Sequence, residues 1–377
     1  MNRMLDPIPL EKDFQFRGPD ADGQCSALFY AFNTVVTLQA FAEEASCLQA
    51  FAAAMEACRR FERLFSRTLP HSDISRLNAA DGAWVDVSRE TFELLAASKR
   101  YCAESSGIFD ITMGAAVRLW DFHRGIVPRQ AELEEALKHV DWRFVELKEK
   151  ERQCEGAGKS PVEETQPAGR GADAALSTGQ AADDASPCET AEHEPAKSDD
   201  AEIRYCGRLA DSAASVDVGG TAKGFIADAI GDIFLAKGVE SFIVNLGGNV
   251  LANGVKPDKN PWIIGLQDPR ASRESGKILG AIPLENASAV TSGTYERCFE
   301  RDGKTYHHIL DPATGFPVKT DLAGATVIAR TSLDAEGYST TLLALGKERA
   351  AAFAQNHPAI LAAYLVDAEG RVFVATR

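Results

Sequence analysis

The chain has 377 residues, 45% of them hydrophobic and 25% charged, with 40 Lys and Arg against 55 Asp and Glu for a formal charge of −15. Such a composition excludes collagenous, disulfide-dense and wholly disordered classes, and the acidic balance speaks against a sequence-independent nucleic-acid binder, which needs a basic face. The length makes room for about two domains.

Residues 1–26 are polar and acidic and lack the charged-then-apolar design of a secretory leader. No stretch reaches the ~18 consecutive apolar residues of a membrane span. The expectation is a cytoplasmic protein without a transmembrane segment. A strand is expected near Leu28 to Phe41, followed by a helix from Glu43 to Phe65. In that helix Leu48, Phe51, Met55, Cys58 and Phe61 recur every three to four residues. The segment RTLPHSDISRLNAADG reads as a polar loop. Ser88 then offers an N-cap for a helix carrying Phe92, Leu94, Leu95 and Tyr101. GIFDITMGAAVRLWDFHRG follows, and another helix from Gln130 to His139.

The acidity is concentrated between residues 151 and 202, where thirteen Asp and Glu face four Lys and Arg. That stretch has no aromatic ring, and Val162 and Leu176 are its only large aliphatics. It cannot bury enough apolar area to offset its ordering entropy, so a disordered insertion is expected. Beyond it, SVDVGGTAKGFIADAIGDIFLAKG reads as strand, Gly-rich turn and helix, and SFIVNLGGNVLANG as two strands about a Gly-Gly turn. WIIGLQ, ASAVTS, TYHHIL, GATVIAR, AILAAYLVD and RVFVAT are strand-length pieces, with helices expected from about Leu333 to Gly346 and Glu348 to Gln355. Strict βαβ alternation is rare, so the fold class is α+β. The eight cysteines contain no C-x-x-C pair and read as reduced thiols.

Four segments have the residue types for chemistry. At Gly219-Gly220-Thr221-Ala222-Lys223-Gly224 a helix begins behind two glycines, so free amides, the positive dipole end and Lys223 together suit a phosphate or diphosphate. A plain turn with a surface lysine is the competing reading. Asn245-Leu246-Gly247-Gly248-Asn249 is a second Gly-Gly turn, of a composition also common in hairpins. His307 and His308 are adjacent in a strand-like run and point to opposite faces, so one of them at most serves a given pocket, as a general base beside a carboxylate, the competing reading being one exposed and one structurally satisfied histidine. Glu336 and Thr340 stand four apart on a helix, hard oxygen donors of the kind Mg²⁺ accepts, in a place where acidic residues also simply suit a helix start.

Taken in order, SDISRLN (72–78), FDITMGAAVRLWDF (109–122), VDVGGTAKGFIAD (216–228), NLGGNV (245–250), IGLQDPR (264–270), TSGTYER (291–297), YHHILDPATGFP (306–317) and EGYSTTLLALG (336–346) resemble the FAD:protein FMN transferase (ApbE) family. The resemblance implies a T-fold-like α+β domain over residues 27–377, with the acidic stretch spliced into it as a long surface loop. It implies Mg²⁺-dependent transfer of FMN from FAD to a Ser or Thr hydroxyl of an acceptor flavoprotein bearing a Ser/Thr-Gly-Ala-Ser/Thr type motif, with AMP released. The alternatives are a Mg²⁺-dependent FAD pyrophosphatase giving FMN and AMP, and a flavin-binding protein without catalysis.

Matched residue by residue, the resemblance makes His308 the base, with Asp311 either contacting the flavin nucleotide or positioning the histidine. It gives Gly220, Glu336 and Thr340 to the metal. It gives Phe32, Arg118, Leu119, Trp120, Asp217, Lys223, Asp228, Asn245, Gly247, Gly248, Ser292 and Gly293 to the flavin nucleotide. Three positions depart from the family pattern: Glu336 stands where Asp is usual, Phe32-Asn33-Thr34 where Met-Gly-Thr is common, and Thr68 where an aromatic residue often lies. The chain's own Ala323-Gly324-Ala325-Thr326 imitates an acceptor motif but falls inside an expected strand, where a flavin can hardly be attached.

Overall fold

A computed structural model of the chain describes residues 14–151, 203–271 and 275–377. The disorder expected across 151–202 therefore concerns residues outside the described ones, Glu151 apart. Of the described residues, 14–148, 205–271 and 275–377 belong to one body, and the strand ends 149–151 and 203–204 fall in a second unit.

The body opens with β1 (Gln15–Arg17), β2 (Cys25–Ala31) and β3 (Thr34–Phe41), then α1 (Glu44–Phe65), α2 (Asp73–Asn78), β4 (Val85–Val87) and α3 (Arg89–Glu104). It continues through α4 (Gly114–Val117), α5 (Gln130–Leu137), β5 (Val145–Glu151), β6 (Ile203–Leu209), α6 (Ala222–Ala236), β7 (Ser241–Leu246) and β8 (Asn249–Asn253). Next come β9 (Trp262–Gln267), β10 (Ile278–Leu284), β11 (Ala287–Gly293), β12 (Cys298–Arg301), β13 (Lys304–His307) and β14 (Leu322–Ala329). The last elements are α7 (Ser332–Leu345), α8 (Lys347–Asn356), β15 (Ile360–Asp367) and β16 (Val372–Thr376).

Nine of these strands make one sheet in the order β1-β2-β3-β7-β8-β11-β14-β15-β16, with every neighbouring pair antiparallel. Helices α1, α6, α7 and α8 lie against one face, where Phe29, Leu38, Phe51, Phe234, Phe242 and Tyr338 are buried in the main core. The β9–β10 ribbon covers part of the other face, packing Trp262, Leu266, Ile282 and Leu284 on Ala252, Ala289 and Ile328. The α+β class follows directly. Among the described residues, no helix is long and apolar enough to cross a membrane.

Several local expectations change. The stretch read as one strand from Leu28 to Phe41 is a hairpin. Phe32 and Asn33 both take the left-handed conformation (φ 53° and 56°) between paired Ala31 and Thr34, the geometry of a tight two-residue turn. The polar loop after α1 contains α2, because the Ser72 hydroxyl accepts the Ser75 amide at 2.9 Å as an N-cap. The strand expected at Ser215–Val218 is an extended segment with a single bridge from Ser215 to Met113. β13 stops at His307, leaving His308 outside it. Ser88 caps α3 as expected, accepting the Thr91 amide at 3.1 Å.

Candidate active site

The site grows from the contact between the first turns of α6 and α7. At Gly224 the two backbones touch: a Cβ there would lie 2.6 Å from the Ser332 carbonyl oxygen and 2.7 Å from Leu333 Cα. Only glycine lets the helices approach this closely. Asp228, one turn further along α6, accepts the Ser332 amide at 2.7 Å and the Leu333 amide at 2.9 Å. The Thr331 hydroxyl caps α7 through the Asp334 amide at 3.2 Å.

One turn into α7, Glu336 is 4% exposed. Its carboxylate pairs with the Lys223 ammonium through one oxygen and accepts the Gly224 amide through the other. A buried carboxylate thus closes onto the positive end of α6 and its lysine, contacts that offset its desolvation. A further turn along, Thr340 Oγ1 lies 3.0 Å from Ser292 Oγ, which also lies 2.9 Å from Ser339 Oγ. Of the expected residues, Lys223, Glu336, Thr340 and Ser292 are therefore brought together along α7. Gly293 sits beside Ser292 with the Tyr295 ring packed over it, where a Cβ would be 2.6 Å from Tyr295 Cε1.

The imidazole arrives from the β12–β13 ribbon. The His308 amide donates to the Arg297 carbonyl at 3.1 Å. Burial pushes the His308 pKa down to about 4, helped by the positive charges of Arg297 and, more weakly, Lys223. His307 is the more buried of the pair, and burial lowers its pKa as well. Nδ1 of each ring is buried without a hydrogen-bond partner among the described residues.

Asp311 turns its carboxylate into its own loop, accepting the Ala313 amide at 2.9 Å, while its carbonyl accepts Gly315 at 2.7 Å. Trp120 supports that loop from behind. Its indole donates to the Gly315 carbonyl at 3.1 Å, and its ring, 6% exposed, packs on Phe122, Tyr306 and Phe316. Leu119 packs in the same cluster and Arg118 is exposed.

A second group gathers at the turns of β2–β3 and β7–β8. Thr34, next to Phe32 and Asn33, packs on Gly247, whose φ of +64° needs glycine and whose missing Cβ would strike the Thr34 side chain. Asn245 accepts the Gly248 amide at 2.9 Å. Phe32 packs partly buried against the main core. The Ser332 hydroxyl ties this group to α7, donating to Asn249 Oδ1 at 2.5 Å and lying 3.0 Å from Ser288 Oγ. Asp217 accepts the Gly219 amide at 2.9 Å and pairs with Arg67 at 3.2 Å. Arg67 and Arg297 are site cations that the motif reading did not single out, because neither lies at a spacing that marks a function.

The Glu336 carboxylate and the Thr340 hydroxyl are hard oxygens one turn apart on α7, of the kind Mg²⁺ accepts. A carboxylate has about four lone-pair sites, so the two hydrogen bonds that Glu336 accepts leave it capacity for a cation. Among the described residues no three His, Cys, Asp or Glu side chains form a metal cage. Two such oxygens would suit a cation that takes its remaining ligands from water and substrate, as Mg²⁺ usually does.

The ApbE family model matches residues 32–365 of the chain. The chain belongs to the ApbE family. It is 31% identical over 315 residues to the FAD:protein FMN transferase of Treponema pallidum (strain Nichols), covering 81% of this chain and 73% of that protein. It is 30% identical over 297 residues to the enzyme of the same name in Klebsiella pneumoniae (strain 342), covering 78% and 75%. Among solved structures, the ApbE protein of Thermotoga maritima superposes with a TM-score of 0.71 at 26% identity, over 95% of this chain and 96% of that one. The fold also matches the apo flavinyl transferase ApbE of Pseudomonas stutzeri, with a TM-score of 0.68 at 24% identity and coverage of 97% and 95%. The ApbE architecture expected from the motifs is thus the fold observed.

Proposed function

We propose that this protein transfers the FMN half of FAD to a Ser or Thr hydroxyl of an acceptor flavoprotein, with Mg²⁺ bound and AMP released. The observation that carries this reading is the ion pair of Lys223 with the buried Glu336, formed across 113 positions of sequence, beside an imidazole that feels the same lysine. A cation, a buried carboxylate and a base from three separate motifs are what cleavage of a diphosphate requires.

Lys223 and the N-terminus of α6 supply the positive potential that holds the diphosphate of FAD. Glu336, Thr340 and the Gly220 carbonyl would hold Mg²⁺, which when bound neutralises charge on the diphosphate and on the departing phosphate. At pH 7 His308 is neutral, because its pKa is depressed to about 4, and so has a lone pair for the acceptor proton. An incoming diphosphate sets negative charge beside Arg297 and Lys223 and raises the proton affinity of the imidazole once substrate is in place. The acceptor oxygen bonds to the FMN phosphorus while its proton passes to His308. The bond from that phosphorus to the bridging oxygen breaks, and AMP leaves with that oxygen. Asp311 shapes the loop behind His308, where its carboxylate accepts the Ala313 amide.

An acceptor motif of the Ser/Thr-Gly-Ala-Ser/Thr kind suits such a site, since small neighbours let a hydroxyl approach a recessed centre. The chain's own Thr326 is a poor acceptor: it is 3% exposed in β14, with its hydroxyl 2.7 Å from that of Thr291. AMP release measured with and without an acceptor peptide tests the proposal. Release that accelerates with acceptor supports transfer. Equal release without acceptor would make the protein a pyrophosphatase, and no release in either case a flavin binder.

A further inference from the structure

We propose that Asp228 is a positioning residue: its carboxylate fixes the start of α7 so that Glu336 meets the first turn of α6, and it does not contact the flavin. This inference rests on the transferase reading above. Each oxygen of Asp228 accepts a backbone amide of α7, one that of Ser332 at 2.7 Å and the other that of Leu333 at 2.9 Å. Those amides open α7 and have no partner within their own helix. Gly224 and Asp228 stand four apart on α6 and so share the face that meets α7. Lys223 is turned roughly 140° away from Asp228 about the helix axis.

The two ties act on the same two residues of α7. The bare Cα of Gly224 lets Ser332 and Leu333 approach, and Asp228 then locks their amides in register. Ser332 is held a third time from the sheet through Asn249. Glu336 follows one turn later, so its meeting with Lys223 is set by a join that is itself fixed by Asp228. Without the carboxylate, the first turn of α7 has two unpaired amides and a contact that water can enter. The consequence falls on Glu336, and through it on metal affinity and turnover, before it falls on flavin affinity.

The test uses the full chain with Asp228→Ala and Asp228→Asn, each checked for folding by circular dichroism. Mg²⁺ is titrated alone by calorimetry, FAD binding is read by flavin fluorescence in EDTA, and FMN transfer gives kcat. Asp228→Ala should raise the Mg²⁺ dissociation constant about tenfold and lower kcat roughly 10- to 100-fold, with FAD affinity held within about threefold. Asp228→Asn keeps one acceptor oxygen and should fall between native and Ala in both readings. If the alanine variant does not fold, the asparagine variant decides. Native Mg²⁺ affinity and kcat in a folded variant would overturn the proposal. So would a loss of FAD affinity with Mg²⁺ affinity intact, which would make Asp228 a flavin contact. A native chain that transfers no FMN would refute the transferase reading instead, and the flavin-free calorimetry would still decide the role of Asp228.

Discussion

Replacing Gly224 with alanine puts one methyl group where the α6 and α7 backbones touch. The added Cβ would sit 2.6 Å from the Ser332 carbonyl oxygen, 2.7 Å from Leu333 Cα and 2.9 Å from the Leu333 amide nitrogen. All three are backbone atoms, so no side chain can swing aside. Restoring ordinary contact parts the helices by about 0.8 Å. Overpacking of this kind costs about 1–3 kcal/mol, against which the better helix propensity of alanine returns about 1 kcal/mol. The net cost is about 0–2 kcal/mol, so for a domain of this size the melting temperature should fall by no more than about 8 °C. The larger effect is on turnover, because Lys223 and Glu336 move apart with their helices, and a shift near 1 Å in a reacting assembly costs on the order of 100-fold. Gly280→Ala is the control, since a Cβ there meets nothing within 4 Å. Melting curves and FMN transfer rates for the two variants check the account. Gly224→Ala with native turnover would refute the claim that the helix contact sets the catalytic geometry.

His308→Ala should keep FAD binding, read by flavin fluorescence, and lose transfer; equal rates in both proteins would remove the base from the mechanism. The depressed His308 pKa also fixes a sign. The folded state prefers the neutral ring, so its stabilising effect is complete above the unfolded value near 6.5 and is lost as pH falls toward about 4, visible as a melting temperature that drops more steeply over that window with His308 than with His308→Ala, His307 giving a fall of the same sign in both. Lys223→Met leaves Glu336 buried with the Gly224 amide alone. Because the lysine side chain is 30% exposed, the expected loss is about 1–3 kcal/mol by denaturant titration, with FAD affinity falling in parallel. Incubated with FAD and Mg²⁺, the chain itself should gain no FMN at Thr326, which peptide mass mapping reads directly.

Local rules made much of the fold legible. The three-to-four spacing of Phe51, Met55, Cys58 and Phe61 marked α1, Ser88 marked the start of α3, and the Gly-Gly turn after Leu246 marked the β7–β8 hairpin. Sequence-local geometry also placed Glu336 and Thr340 on one helix face. What stayed hidden depends on tertiary neighbours. The turn at Phe32-Asn33 lacks the Asn-Gly pair that usually marks such a hairpin, so two strands read as one. The resemblance gave Asp228 to the flavin nucleotide, and its amide partners, 104 and 105 positions away, could not be read from the sequence. Trp120 and Asp311 sit in motif segments, but the bond from the Trp120 indole to Gly315, 195 positions away, could not be read from the sequence. Arg67 gains its place only by pairing with Asp217 across the site.

The most direct measurement is the intact mass of an acceptor domain after incubation with this protein and FAD, with Mg²⁺ or with EDTA. The account predicts an acceptor heavier by one FMN less water in Mg²⁺, fragmenting at the Ser or Thr of its motif, and an unchanged acceptor in EDTA. An acceptor that stays at its starting mass in Mg²⁺ while FAD is consumed, or one that gains FMN equally in EDTA, would contradict it.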